Sequence, residues 1–151
     1  ILGAVLLAVS PAPSAAEVPE KGTESLWDNY GIPHIYAPDH PSLFYAYGYA
    51  QMEGHAELIV RLYAQARGRA AEFYGDSYIE SDRWVRTNGI PTRARQWATQ
   101  QSAEFAPLIQ AFAAGLNAWA TEHTSMLSPQ ARGMLPLTAE DVYAHGMRNI
   151  P

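Results

Sequence analysis

Apolar and polar positions along this chain fall into blocks whose period changes from one block to the next. Ile1 to Val9 is an almost unbroken apolar run, followed by Ser10-Pro11-Ala12-Pro13 and Ser14-Ala15-Ala16. That order fits a secretory signal with a small-residue cleavage site, placed after Ala16. A membrane anchor needs roughly 18 or more apolar residues, and Pro11 and Pro13 interrupt the run well before that. A polar leader, 17–25, comes next. Leu26-Trp27-Asp28 and Ile32 to Tyr36 then read as two short strands joined by Asn29-Tyr30-Gly31, with Gly31 as the left-handed residue that ends such a hairpin loop. Pro33 has no N–H for a ladder, which puts its strand at an edge.

From Pro41 the period becomes helical. Leu43, Phe44 and Tyr47 recur at helix spacing, and Leu58, Ile59, Leu62, Tyr63 and Ala66 continue it. The stretch predicts two helices, or one bent near Gly54, ended by Gly68 after Arg67. Glu57 and Arg61 are expected to pair on its solvent side. Arg69 to Tyr74 reads as a short helix closed by Gly75, and Asp76 to Pro91 as a structured connection that packs its aromatics under the helices. Phe105, Leu108, Ile109, Phe112, Leu116, Trp119 and Ala120 mark the clearest helical stripe, regular from about Pro107 onward because proline is tolerated only in a first turn. The segment 122–138, with Pro129, Gly133 and Pro136, reads as a loop. Thr138 then caps a last helix that carries Glu140 and Asp141 in its first turn and Val142, Tyr143 and Met147 on its apolar side.

Composition narrows the classes. The 151 residues suit one domain with a core, and a net charge of -5 with scattered basic residues offers no stripe for a phosphate backbone, so nucleic acid is not an expected partner. Without cysteine there is no disulfide, thiolate nucleophile or Cys-based zinc site. Neither a Met nor a basic n-region precedes Ile1, and the last helix meets Pro151 with no cap. The chain is therefore expected to be an incomplete piece at both ends.

The segment from Asp28 to Ala37, DNYGIPHIYA, resembles the opening of the mature α subunit in the penicillin acylase family. Leu43 to Gln51 is similar to that family's Tyr/Gly-rich first helix, and Ala66-Arg67-Gly68-Arg69 through Gly75 to the segment closing its second. Gly115-Leu116-Asn117-Ala118-Trp119 resembles its Gly-x-Asn-Ala-Trp signature, and Leu135-Pro136 before Thr138 its approach to the next helix. The Ala-Arg-Gly-Arg form leans toward the acyl-homoserine lactone and aculeacin acylase branch. The loop before Leu135 departs from the pattern by being short and lacking a tryptophan near Thr138. The resemblance implies an α+β fold: a mostly helical fragment with an N-terminal β-hairpin, part of a four-layer αββα N-terminal-nucleophile hydrolase. Residues 26–151 would be a partial α subunit ending before the self-cleavage site. It further implies a periplasmic or secreted zymogen that cuts itself, so that a new N-terminal Ser beyond Pro151 becomes the nucleophile and its α-amine the base. The partners would be its own β-subunit region and a small acyl-amide substrate. Calcium is possible in the full enzyme, with no ligand for it in this piece.

The residues present offer no complete catalytic set of their own. Gly22-Thr23 is a Gly followed by a hydroxyl residue, but it lies upstream of the hairpin. His34, His40, His55, His123 and His145 lack metal-ligand spacing, and Ser42, Ser77 and Ser128 lack a nucleophile elbow. His34 reads as a hydrogen-bonded structural residue. The resemblance implies that the helix after Thr138 gives apolar residues to an acyl pocket; Tyr143, Met147 and Ile150 share one face of it, a spacing that core packing explains equally well. Arg148 reads as solvated or paired. The competing reading is a small exported helical protein that binds a ligand without catalysis.

Overall fold

Two antiparallel strands, β1 (Glu24–Trp27) and β2 (Pro33–Tyr36), open the part described by this computed structural model, residues 22–149. The expected signal segment with Ala16, and the terminal Ile150 and Pro151, lie outside the described residues. β1 begins at Glu24, two residues inside the stretch read as polar leader, because an exposed edge strand needs no apolar alternation. Trp27 pairs with Pro33, and the Asp28 N–H donates to the Ile32 carbonyl at 3.1 Å to close the loop. Gly31 has φ 74, as the turn demands.

Helix α1 (His40–Ala66) starts at Asp39, whose Oδ1 accepts the Ser42 N–H at 2.8 Å. Its helical geometry breaks at His55 (φ -147, ψ 33), beside Gly54, so the stretch is two helical segments joined across a kink. The Trp27 ring lies against Gly54 and its Nε1 donates to Glu53 at 3.0 Å, which docks the hairpin at the bend. At the far end the Gly68 N–H donates to Gln65 O and the Arg69 N–H to Ala64 O, a Schellman closure that relies on Gly68 at φ 66. Glu57 does not bridge to Arg61 as expected. Its carboxylate takes the N–H of Ser128 at 2.6 Å and the Ser128 hydroxyl at 3.0 Å, both far along the chain.

The short α2 (Ala70–Tyr74) is closed by Gly75 as expected. Beyond it the structure corrects the reading of a connection: α3 (Ile79–Thr87) and α4 (Ile90–Thr99) are regular helices. The inward face of α3 carries a buried carboxylate, Asp82, which accepts the Ala70 and Ala71 N–H groups at 3.0 and 2.8 Å and so caps α2. Trp84 points outward, not under the helices.

Helix α5 (Ala106–Glu122), with Pro107 in its first turn, packs on α1 and buries Ile109, Leu116, Trp119 and Ala120 of the predicted stripe, while Phe105, before the helix, stays exposed. The segment expected to be a loop contains a further helix, α6 (Pro129–Met134), capped by Ser128; Gly133 sits there because Phe73 would meet a side chain at 2.8 Å. Helix α7 (Ala139–Asn149) is the last described element. Met52, Val60, Leu116, Trp119, Met134 and Leu137 form one core; Ala66, Val85, Ile90, Ala94, Ile109 and Tyr143 form another below α7. The result is a helical body with one hairpin, the class expected. Among the described residues no helix is long and apolar enough to cross a membrane.

Candidate functional site

The entry to α7 is where polar side chains converge. Asp141, in the first turn, is buried, and Thr138 caps it reciprocally: the Thr138 N–H and hydroxyl donate to Asp141 Oδ2 at 2.6 and 2.9 Å, and the Asp141 N–H donates back to Thr138 Oγ1 at 3.3 Å. From the end of α1, Arg67 reaches the same carboxylate with Nε on Oδ1 and Nη2 on Oδ2, both at 2.6 Å. Its remaining donors take the carbonyls of Met134 at 2.8 Å and Pro136 at 2.7 Å. Two charges this little exposed are tolerable only when every lone pair and N–H has a partner, and here nearly all do.

A second clamp acts one residue earlier. The Asn117 side chain accepts the Leu137 N–H at 2.8 Å and donates to the Leu137 carbonyl at 2.7 Å, mimicking a strand partner for a residue outside any sheet. The Gly-x-Asn-Ala-Trp segment is thus a packing device: Gly115 admits α1, Asn117 fixes the chain entering α7, and Trp119 is a buried core ring stacked on His123 at 4.7 Å. The reach of Arg67 and Asn117 was not apparent from sequence spacing. The Thr138-x-x-Asp141 order was the one local sign of it.

Tyr143 and Met147, both expected to face a substrate, belong to the same apolar cluster but differ in exposure. Tyr143 is buried in the core with Ala66 and Ala94, and burial pushes its phenol up. Met147 is half-buried and borders a groove of about 590 Å³ that Trp84, Ile90, Arg93 and Trp97 also line. Ile150 lies outside the described residues. Arg148 is paired, donating to Gln65 Oε1 at 2.6 Å. His145 packs on the Tyr63 ring; burial first, then Arg148, holds its imidazole below the usual value.

Elsewhere the chemistry is structural. His34 meets Asp28 at 3.2 Å on the surface, and the Asp28 carboxyl is lowered first by the Ile32 N–H and then by His34. Thr23 borders a shallow groove with Ser25, Tyr45 and Tyr49 and has no base among those neighbours. Among the described residues no group of His, Asp and Glu could hold a metal ion. What this arrangement can do is position the last helix and the groove beside it.

Against known proteins, the penicillin amidase family pattern matches residues 24–146. Penicillin G acylase of Escherichia coli is 33% identical over 107 residues, which is 71% of this chain and 13% of that protein. Acyl-homoserine lactone acylase PvdQ of Pseudomonas syringae pv. tomato is 27% identical over 139 residues, 85% of this chain and 18% of that one. A solved structure of thermostable penicillin G acylase from Alcaligenes faecalis superposes with a TM-score of 0.73 at 25% identity, covering 85% of this chain and 72% of that chain. The chain belongs to the penicillin amidase family. It spans less than a fifth of the length of either curated relative.

Proposed function

We propose that the complete protein is an amidohydrolase cleaving a non-peptide acyl amide, and that this chain is the N-terminal portion of its α subunit. The observation that carries the reading is the family match across 24–146. In this mechanism a Ser exposed by self-cleavage beyond Pro151 attacks the amide carbonyl through Oγ, and its α-amine takes the hydroxyl proton and passes it to the departing amine. Water then splits the acyl ester. Backbone or side-chain donors elsewhere in the protein hold the oxyanion. The present chain contributes the wall around the acyl group: Met147 on the groove and Tyr143 behind it in the core, with Ile150, outside the described residues, as the third expected contributor. Export to the periplasm or medium, with removal of the segment through Ala16, belongs to the same reading.

Expression of the complete reading frame, with mass spectrometry of the product, tests it. The expected product begins at Glu17, is split into two chains, and hydrolyses penicillin G, acyl-homoserine lactones or an acylated lipopeptide. Residues 1–151 alone hydrolyse none of them. Changing the new N-terminal Ser to Ala abolishes splitting and turnover, whereas Met147→Ala shifts preference among acyl chains by roughly 1–3 kcal/mol. Turnover by the 151-residue chain that persists through repurification, or an unsplit product that hydrolyses no amide, would refute the proposal.

A further inference from the structure

We infer that Arg67 is a positioning residue for the substrate face of α7, acting through Asp141 and the carbonyls of Met134 and Pro136. The inference rests on the reading of α7 as a helix that faces the acyl group. Its geometry does not.

Arg67 is the C-cap of α1, held in place by the Gly68 closure, so its guanidinium projects from a fixed point on the longest helix. From there it gathers three successive pieces of chain: the end of α6 at Met134, the connection at Pro136, and the first turn of α7 at Asp141. The fork-to-carboxylate geometry fixes direction as well as distance, which a single ammonium cannot do. With Asn117 holding Leu137 from α5, the start of α7 is tied to both long helices.

Beyond the clamp α7 is held by apolar packing, with Tyr143 and Ala144 buried against α4 and α1, and its last turn adds one side-chain hydrogen bond to α1, Arg148 to Gln65. Met147 stands six positions beyond Asp141, about 9 Å along the axis at the rise of an α-helix. A tilt at the clamped end displaces Met147 in proportion to that distance, and a misplaced pocket wall weakens contacts with the acyl chain by an amount that depends on the chain's length. Arg67 touches no part of the groove itself, since its donors are spent on the clamp.

Hydrogen–deuterium exchange and kinetics on the complete protein, wild type beside Arg67→Lys, Arg67→Gln and Asp141→Asn, test this. All three variants are expected to speed amide exchange across 138–149 about tenfold or more while 106–122 stays protected, as for loss of a local tie and not of the fold. On the acyl amides that the wild type hydrolyses, KM is expected to rise about tenfold with kcat falling far less, and the ratio of rates between short and long acyl chains should change. Thr138→Ala, which removes one donor to Asp141, should give a weaker version of both effects and serves if the stronger variants do not fold. Unchanged exchange in 138–149, faster exchange everywhere, full rescue by Lys, or an equal fall in kcat for every substrate overturns the inference. If exchange loosens as expected but the wild type hydrolyses no acyl amide, the clamp stands and the proposed activity fails.

Discussion

Gly48 and Gly115 face each other where α1 crosses α5, and neither has room for another atom. A Cβ on Gly115 would lie 2.0 Å from the Tyr45 carbonyl oxygen, and one on Gly48 would lie 2.1 Å from that of Phe112. Both obstructions are backbone, so a rotamer change cannot relieve them, and the helices would have to separate along their main interface. Gly115→Ala is expected to cost about 3 kcal/mol and to lower the melting temperature by roughly 10 °C. Gly146, within α7, supplies the opposite case: nothing lies within 4 Å of its added Cβ and its φ is ordinary. Gly146→Ala should stabilise by up to about 1 kcal/mol through helix propensity. Thermal melts of the two variants against wild type check the pair, and equal shifts would show that the crossing is looser than the backbone distances require.

At the scale of elements, α1 and α5 are joined by more than their glycines. The Tyr49 hydroxyl donates to Glu122 at 2.7 Å, and this bond, with burial and the nearby carboxylates, pushes the phenol up to about 12. A phenol whose folded value exceeds its unfolded one favours the protonated form in the native state. Its contribution is complete below pH 10 and disappears as pH rises through about 12. Tyr49→Phe should remove that part of the alkaline loss of stability and delete a late-titrating phenolate from an absorbance titration. An unchanged titration curve would mean the hydroxyl is not tied to Glu122 in solution. This bond was not legible in the sequence, and the reason is general. Elements with apolar periodicity, such as α5 and the bent α1, announce themselves. Helix α3 does not, because its buried positions are Asp82 and Val85, with Asp82 capping α2 and the exposed Arg86 reaching back to donate to the Gly68 carbonyl at 2.7 Å. A face built from polar contacts to backbone looks like a solvated one until the partner is placed. The clamp was hidden in the same way: Arg67 and Asp141 stand 74 positions apart, and only the fold brings them together. The glycines and the Asn117 signature were readable as a resemblance, but their physical work, close approach and a backbone clamp, appears only in the packing.

At the scale of the whole molecule, the chain buries two cores yet leaves several large rings on its outside. Trp84 and Trp97 are 51% and 44% exposed and line the same groove as Ile90 and Met147, while Arg93, Gln96 and Gln100 supply its polar rim. Apolar surface gathered into one concave patch behaves differently from the same residues scattered singly, because a dye or a second molecule can desolvate all of it at once. The 151-residue chain by itself is therefore expected to bind an environment-sensitive hydrophobic dye and to self-associate as its concentration rises. The double variant Trp84→Ser with Trp97→Ser should lose much of the dye signal and of the association. Its melting temperature should change little, since neither ring belongs to a core cluster. Dye fluorescence, sedimentation velocity and a melt on both forms decide the matter. A wild-type chain that stays monomeric, melts sharply and binds no dye would mean that these rings are ordinary surface residues, and would restore the competing picture of a small helical protein sufficient in itself.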